Sequence, residues 1–244
     1  LWNTGETTQT IYADTAGTYS VTVGNGTPIV NSNSLSFDGN NQINLNTINV
    51  SSSDKLTISS WINVSSISAI RTWVRQQGPG NPDFLLQFYN GVIIFGIKTT
   101  NGNYDELQLV YPLDSLLNKW RNITTVYDGN KKYIYVDGIL IGENNQAGNV
   151  YYSSIGSLYF GSAGGSEFFD GELDNIQIWN QALTQSEIQQ YMSSPPTGNE
   201  AGLVGYWNFN EGSGSTVTDL SSNGNNGTIN GATWSTDAPA QYAN

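Results

Sequence analysis

Short runs in which apolar and polar residues alternate recur along most of the chain, and a period of two is typical of strands that bury one face. Two apolar runs, residues 84–89 and 92–97, flank the dipeptide Asn90-Gly91, which is a strong signal for a β-hairpin. Similar turn signals stand between alternating runs at Asp38-Gly39, at Asp128-Gly129-Asn130 and at Asp137-Gly138. The pattern predicts many short antiparallel strands, with a hairpin at each of these turns.

One helix start interrupts the strand signals. Thr184-Gln185-Ser186-Glu187 has the spacing of a capping box, in which the Thr184 hydroxyl accepts from the backbone N–H three residues on and Glu187 reaches back. A strand predicted over residues 172–179 precedes this start, and a Gly-rich loop over residues 161–171 precedes the strand. This order of loop, strand and capped helix is the most distinctive stretch of the chain.

Composition supports an all-β chain with a sizeable core. The chain has 244 residues, with 7 Trp and 14 Tyr, and charged residues make up only 11%. Aromatic and β-branched residues favour strands and supply apolar surface to bury, so disorder is not expected. A chain of this length can fill one sandwich domain.

Charge and the missing residue types exclude several functions. The net charge of −12 and the pI of about 4.1 argue against nucleic acid and other polyanionic partners, because phosphate recognition needs clustered cations. No apolar run reaches about 18 residues, so membrane insertion is not expected. The chain has no His and no Cys, which leaves oxygen ligands and therefore calcium as the metal to consider.

Three motifs carry a family resemblance. The motifs are W-x-x-I-T-x-V-Y-D-G from Trp120, K-x-Y-I-Y-V-D-G from Lys131, and G-x-L-D-N-I-Q-I-W-N-Q-A-L-T-x-x-E-I from Gly171. They resemble laminin-G-type domains of the concanavalin A-like lectin/glucanase superfamily, and the resemblance extends over about residues 33–236. Arg121 and Asn122 depart from the family pattern, which usually has His there.

This resemblance implies an all-β fold: a two-sheet antiparallel jelly-roll sandwich with one short helix after the D-N-I-Q-I-W strand. We expect the domain to span residues 28–244. The segment from Gly202 to Trp234 resembles, in outline, the tail of pentraxins, whose final strand returns to pair with the first. Trp61, Trp120, Trp179 and Trp207 fall on predicted strands and are expected in the core.

Residues 1–27 resemble the last strands of bacterial immunoglobulin-like or PKD-type surface modules, followed by a short linker at residues 24–28. This interpretation makes the chain a segment of a larger secreted or cell-surface bacterial protein that carries other modules. The alternative is that these strands pair with the main domain.

The sequence argues against catalysis. Glucanases of this fold carry E-x-D-x-E on one strand, which places three carboxylates on one face. Here Glu172 and Asp174 keep the first spacing, but Ile176 occupies the third position. Lyases of this fold need a His, which is missing. Asp174 is therefore expected to be structural, bonded to neighbouring backbone.

Two calcium sites are predicted as alternatives. The spacing D-x-S-x-N-G-N brings the oxygen-bearing side chains of Asp219, Ser221, Asn223 and Asn225 towards one point, and Gly224 allows a sharp turn. This run lacks the Glu at the twelfth position of an EF-hand loop. The alternative site lies at the rim, where pentraxins hold calcium, and uses Asn81, Asp83 and Glu167.

Sugar binding needs aromatic faces for stacking and planar amides or carboxylates for hydroxyl groups. We predict that such groups meet where the loops 76–83, 144–154 and 161–170 converge, with the candidates Trp73, Asn81, Asp83, Tyr104, Tyr151, Tyr152, Glu167 and Phe168. The alternative places Phe168 and Phe169 in the core and starts a strand at Tyr151. The leading hypothesis is a non-catalytic, polysaccharide- or glycan-binding module of an adhesin or a polysaccharide-degrading enzyme. The alternatives are a structural or protein-binding module without sugar affinity and a glycoside hydrolase or lyase of the same fold.

Overall fold

The computed structural model describes residues 31–50, 53–101 and 104–239. The predicted module tail at residues 1–27 lies outside them. In chain order the strands are β1 (Ser34–Asp38), β2 (Gln42–Asn46), β3 (Leu56–Val64), β4 (Arg71–Gln76), β5 (Phe84–Tyr89), β6 (Val92–Lys98), β7 (Tyr104–Val110), β8 (Trp120–Tyr127), β9 (Lys131–Val136), β10 (Ile139–Asn145), β11 (Ser157–Phe160), β12 (Asp170–Trp179), β13 (Leu203–Trp207), β14 (Thr216–Val217), β15 (Gly227–Asn230) and β16 (Thr233–Ser235). A 3₁₀ turn spans Leu113–Ser115, and the helix α1 spans Gln185–Ser193.

The strands form two antiparallel sheets. We call the first the back sheet; its order is β10-β9-β8-β3-β12-β1-β16, and β13 also pairs with β12. The front sheet has the order β14-β15-β2-β11-β4-β5-β6-β7. The two sheets pack face to face, as the predicted jelly-roll sandwich requires. The last strand, β16, pairs with the first, β1, which confirms the predicted return of the tail.

The core lies between the inner faces of the two sheets. Each strand sends alternate residues inward, so Leu86 on β5 and Phe95 on β6 face each other with no exposed surface. Trp73 stacks on Phe88 with ring centroids 4.5 Å apart, and its indole N–H donates to Ser60 across the sandwich at 3.0 Å. Buried aromatic side chains therefore fill the core of a protein that has no disulfide bond to stabilise it.

Three of the four predicted hairpins are confirmed. Asn90 and Gly91 both have positive φ, which suits a two-residue hairpin turn, and they join β5 to β6. The turns at Asp128–Asn130 and Asp137–Gly138 join β8 to β9 and β9 to β10. The hairpin predicted at Asp38-Gly39 is wrong, because β1 belongs to the back sheet and β2 to the front sheet. That turn carries the chain from one sheet to the other.

Within the part of the chain that the structure describes, no helix is long and apolar enough to cross a membrane.

Candidate functional site

The outer face of the back sheet is partly covered by α1. The capping box is present as predicted: the Thr184 hydroxyl accepts from Glu187 N at 3.3 Å, and Glu187 accepts from Thr184 N at 2.7 Å. Below the helix lies a second apolar cluster that includes Trp179, Ile188 and Tyr206. The helix thereby closes that half of the back face to any ligand.

The other half of the back face is crossed by residues 236–239, which we call the C-terminal strap. Asp237 accepts from Trp120 Nε1 at 3.0 Å and from Asn63 Nδ2 at 3.3 Å. The prediction that Trp61 and Trp120 lie in the core is wrong, because both are only half-buried. They alternate with inward-facing residues such as Ile62 and therefore lie on the outer face.

The two acids of the incomplete catalytic motif lie on the back face beside this strap. Glu172 accepts from Ser235 at 2.6 Å and from Asn63 at 3.2 Å. Asp174 has no exposed surface, and it accepts from Asn175 N at 2.7 Å and from Asn31 at 2.5 Å. The predicted backbone bond of Asp174 is thus confirmed. Burial raises the pKa of Asp174 well above its ordinary value.

Within the residues that the structure describes, no helix crosses the outer face of the front sheet. One cross-strand row runs from β2 to β7 and consists of Asn44, Tyr159, Arg75, Leu85, Gly96 and Glu106. Among the described segments, the Gly-rich loop overhangs this row, where Gly164 packs against the ring of Tyr159. Four polar or aromatic side chains of the row keep exposed surface, namely Asn44, Tyr159, Arg75 and Glu106.

Tyr104 packs over Gly96 on this face, where the missing side chain leaves room for it. A Cβ on Gly96 would overlap the Tyr104 hydroxyl and come within 2.7 Å of ring atom Cζ. The hydroxyl donates to Glu106 Oε1 at 2.8 Å. Burial and the Glu106 carboxylate both raise the pKa of Tyr104, so the phenol stays protonated. The glycine thus positions an aromatic ring beside a carboxylate.

Arg75 and Glu167 lie close enough to Tyr104 for their charges to act on its hydroxyl. Arg75 Nη1 lies 3.8 Å from Glu167 Oε2, and Arg75 Nε donates to Gln77 at 2.9 Å. The hydroxyl of Thr72 donates to the same Glu167 oxygen at 2.9 Å. The charges of Arg75 and Glu167 both influence the Tyr104 hydroxyl. The Gly-rich loop therefore brings Glu167 to the front face instead of to the predicted calcium site.

Of the predicted ligand-binding residues, the front face thus gathers Tyr104 and Glu167. Tyr151 and Tyr152 are half-buried, and the ring of Tyr151 carries Lys98 Nζ at 4.1 Å from its centroid. Phe168 is half-buried, and its carbonyl accepts from Arg71 at 2.8 Å. Phe169 is fully buried and packs edge-on against Phe37 in the core.

Trp73 was predicted to be exposed, and the structure contradicts this. Its side chain has no exposed surface. The register between β4 and β5 shifts between Thr72 and Val74, so a bulge turns Trp73 into the core, where it stacks on Phe88. A buried indole offers no face to a ligand.

The two rim candidates Asn81 and Asp83 differ in solvent exposure. Asn81 is exposed, whereas Asp83 has no exposed surface. Asp83 Oδ2 accepts from Ser153 N at 2.9 Å and from Gln76 at 3.3 Å. Asp83 Oδ1 has no hydrogen-bond partner and faces Gly78. Burial raises the pKa of Asp83. With Glu167 bonded elsewhere, the three predicted rim ligands do not converge as one cation site.

The carboxylate of Asp219 is fully engaged by hydrogen bonds. Its Oδ1 accepts from Tyr206 N and Ser221 N, both at 2.9 Å, and its Oδ2 accepts from Asn225 N at 2.8 Å and from the Ser221 hydroxyl at 2.9 Å. Asn223 and Asn225 turn their amide nitrogens towards the carbonyl of Val204. Donors therefore occupy the positions that calcium needs as oxygen ligands, and this arrangement does not fit the ion. Within the described ranges, no three acidic side chains group closely enough to hold a metal.

Sequence reasoning missed three front-face residues: Arg75, Gln87 and Glu106. One signal was available, since Tyr104, Glu106 and Gln108 alternate along β7 and must share a face. Which face stays open depends on where the helix and the strap pack, and no local pattern gives that.

Comparison with known proteins agrees with this architecture. A family model described as the concanavalin A-like lectin/glucanases superfamily matches residues 37–189, which is more than half of the chain. A search by sequence against curated proteins finds no match.

Three solved structures illustrate the likeness. A Bacteroides ovatus protein named as a candidate carbohydrate binding protein has a TM-score of 0.66 at 21% identity, with 85% of this chain and 61% of that one covered. A heptameric SAP-like pentraxin from Limulus polyphemus has a TM-score of 0.53 at 18% identity, with 68% and 85% covered. The receptor binding domain of a botulinum neurotoxin mosaic serotype C/D has a TM-score of 0.52 at 19% identity, with 65% and 41% covered.

At these identities the three structures support the fold alone, and the chain spans 61% of the length of the Bacteroides ovatus protein. The fold, the sheet order and the family match agree with one another. The chain belongs to the concanavalin A-like lectin/glucanase superfamily and contains its laminin-G-type jelly-roll domain.

Proposed function

We propose that this chain is a non-catalytic carbohydrate-binding module that holds a polysaccharide or glycan on the outer face of its front sheet. The observation that carries the proposal is the Tyr104 ring, which Gly96 leaves room for beside Glu106 and near the Arg75–Glu167 pair. Sugar rings stack on aromatic faces, and planar carboxylate, amide and guanidinium groups bind their hydroxyls. The proposed setting is a secreted or cell-surface protein of a bacterium.

The front face has the layout that an extended saccharide needs. The row from Asn44 to Glu106 crosses six strands, which at about 4.8 Å per strand gives a platform more than 20 Å long. Gln87 adds an amide next to Thr72, whose hydroxyl lies 3.3 Å from Gln87 Oε1. A chain of several sugar rings laid across the strands would therefore meet polar groups along its length.

A catalytic role has weaker support. On the back face, Glu172 and Asp174 are bonded to Ser235, Asn63, Asn31 and Asn175, and Asp174 is inaccessible to a substrate. On the front face, Glu106 and Glu167 are bound to Tyr104 and Arg75. We therefore assign these carboxylates to positioning and to binding.

A second candidate function is protein binding without sugar affinity. One end of the front face carries Tyr89 at 43% and Val110 at 89% exposure, and both lie in a cross-strand row with Val92. Exposed apolar side chains in a row are typical of protein contact surfaces. Tyr89, Val92 and Val110 each lie four positions along their strands from the Glu106 row, so different variants can test the two functions.

Glycan-array binding tests the proposal with a matched pair of variants. Tyr104→Ala removes the front-face ring, whereas Tyr133→Ala removes a back-sheet tyrosine whose hydroxyl also donates to a carboxylate, that of Asp128 at 2.9 Å. We expect the wild type and Tyr133→Ala to bind the same saccharides and Tyr104→Ala to lose at least tenfold in affinity. Absence of binding to every saccharide would refute sugar binding and favour the protein-contact surface.

Gly96→Ala is a second probe of the same geometry. The added methyl group would collide with the Tyr104 ring and displace it without removing any polar group. We expect this variant to remain folded and to lose binding as Tyr104→Ala does. Retained binding in Gly96→Ala would show that the Tyr104 ring, in its position over Gly96, is not the surface on which the sugar stacks. Release of reducing ends from any bound polymer, abolished by Glu172→Gln, would instead support the hydrolase alternative.

A further inference from the structure

We infer that the front-face site selects uncharged glycans and rejects those that carry carboxylate groups, such as uronic or sialic acid polymers. This inference rests on the proposed function and adds the ligand class. It follows from three charged side chains of the face: Arg75 and Lys98 already have partners, whereas Glu106 has no ion-pair partner.

Both cations of the front face are engaged. Arg75 has the Glu167 carboxylate at 3.8 Å and donates to Gln77 at 2.9 Å. Lys98 lies over the ring of Tyr151, with Nζ 4.1 Å from the centroid, at the end of β6 away from the Asn90–Gly91 turn. A sugar carboxylate that binds at this face would have to compete with Glu167 for Arg75, or draw Lys98 away from Tyr151.

The Glu106 carboxylate is held only by neutral groups. The Tyr104 hydroxyl donates to Oε1 at 2.8 Å, and the Gln108 amide donates to Oε2 at 2.7 Å. No salt bridge involves Glu106 in the described chain, whereas Glu167 has its arginine. Each Glu106 oxygen keeps a free lone pair that can accept from a sugar hydroxyl. Glu106 therefore carries a negative charge without an ion-pair partner at the edge of the platform, because the nearby Lys132 ammonium, whose pKa Glu106 influences, is paired with Asp105.

This charge distribution penalises an anionic ligand. A sugar carboxylate placed over the Tyr104 ring would lie within several ångströms of Glu106, and two like charges at that distance in a water-like dielectric cost about a three- to tenfold loss in affinity. The net charge of −12 adds a longer-range repulsion that salt screens. An uncharged saccharide meets neither penalty and gains hydrogen bonds to Glu106 and Gln108.

Binding to matched saccharide pairs tests the inference. The probes are an uncharged oligogalactan and the oligogalacturonan of the same length, measured by titration calorimetry at 20 mM and 500 mM salt. We expect the wild type to bind the uncharged member at least tenfold more tightly at low salt. Glu106→Gln should reduce this ratio about three- to tenfold, because it removes the local charge and keeps an oxygen acceptor.

Asp54→Asn is the matched control. Asp54 is exposed and contacts the Gly129 turn at the end of the back sheet, so its substitution changes the net charge equally without touching the front face. A ratio that changes equally in Asp54→Asn and Glu106→Gln would assign the rejection to overall charge and overturn the inference. Equal or tighter binding of the galacturonan, or tightest binding of a cationic chitosan oligomer, would overturn it as well. Absence of binding to every saccharide, in a wider panel of uncharged ones, refutes the proposed function and with it this inference.

Discussion

The outer faces of the two sheets use their carboxylates in different ways. On the back face, Asp174 is fully buried and Glu172 is held by Ser235 and Asn63, beneath or beside other segments of the chain. On the front face, Glu106 and Glu167 contact tyrosine, arginine and glutamine side chains, and no helix of the described chain lies above them. The back-face acids therefore stabilise the fold, whereas the front-face acids remain available to a ligand.

This difference explains why an acidic pair on a strand is a poor guide to function here. Glu172 and Asp174 keep two positions of a glucanase motif, yet Asn31, Ser235 and Asp237, near the ends of the domain, occupy their surroundings. Glu106 and Glu167 share no motif and come from a strand and a loop 61 residues apart in the numbering. The site results from which face the helix and the strap leave open.

Asp219→Ala should have the largest effect on stability. The carboxylate accepts four hydrogen bonds, three of them from backbone N–H groups, and it ties the loop after β14 to β13 of the back sheet. Leaving those buried donors without an acceptor should lower the free energy of unfolding by about 3–5 kcal/mol in a urea titration. Asp114→Ala, at an exposed turn, is the control and should change it by less than about 0.5 kcal/mol. A loss below about 1 kcal/mol in Asp219→Ala would show that the hydrogen bonds of this loop contribute little.

Ile188→Ala tests whether the helix is an essential cover of the back face. Ile188 is 2% exposed and packs on the cluster that includes Trp179 and Tyr206. Its truncation should cost about 2–4 kcal/mol, because it leaves a cavity under the helix. Val110→Ser on the front face should cost less than about 1 kcal/mol, since Val110 is 89% exposed. Similar costs for the two variants would contradict the distinction between a covered and an open face.

Local sequence signals predicted the elements of the fold well. Asn90-Gly91 correctly predicted a hairpin, and Thr184–Glu187 correctly predicted the start of a capped helix. Both features are local, because the atoms that form each of them lie within four residues. Asp38-Gly39 gave a turn but the wrong pairing, because β1 pairs with β12 and β16, far along the chain. Pairing partners are set by the family topology, which only the longer motifs carry.

The candidate site was less predictable than the fold. Tyr104 and Glu167 were chosen from the sequence for their chemistry, yet they face each other only because Gly96 admits the ring and the loop turns back over β4. The prediction that Trp73 is exposed was wrong because a bulge, which no local sequence pattern reveals, turns the side chain into the core. Asp219–Asn225 shows a further limit, since short polar residues with that spacing converge equally well on a cation or on one another's hydrogen bonds.

Stability at mildly acidic pH should reveal the buried acid of the back face. Burial raises the pKa of Asp174 above its unfolded value, so the folded state binds its proton first as the pH falls. Its contribution to stability is therefore present below the unfolded pKa and is lost as the pH rises through the folded pKa. We expect the free energy of unfolding to increase between pH 7 and pH 5 by on the order of 1 kcal/mol.

Asp174→Asn isolates this contribution. The variant cannot titrate at this position, so its stability should change less than that of the wild type over the same range. Glu172 also has a raised pKa, first through burial and then through Asp237, so Glu172→Gln should flatten the curve in part. A wild type that loses stability steadily from pH 7 to pH 5, with the same slope in Asp174→Asn, would contradict the assignment of a buried acid to the back face.

Calcium should have the smallest effect of the changes considered. The prediction of an ion at Asp219, Ser221, Asn223 and Asn225 has a rival in the hydrogen bonds that already occupy both Asp219 oxygens. With those donors in place, addition of calcium to EDTA-treated protein should leave the melting temperature within about 1 °C, in the wild type and in Asp83→Ala alike. An ion that binds only the folded state would instead add about 2.7 kcal/mol at a hundredfold excess over its dissociation constant. A melting temperature that rises by several degrees with calcium, and that no longer responds in Asp219→Ala, would establish the ion and require the loop to reorient its amide groups. A response lost in Asp83→Ala would place the ion at the rim, where Asp83 Oδ1 has no hydrogen-bond partner.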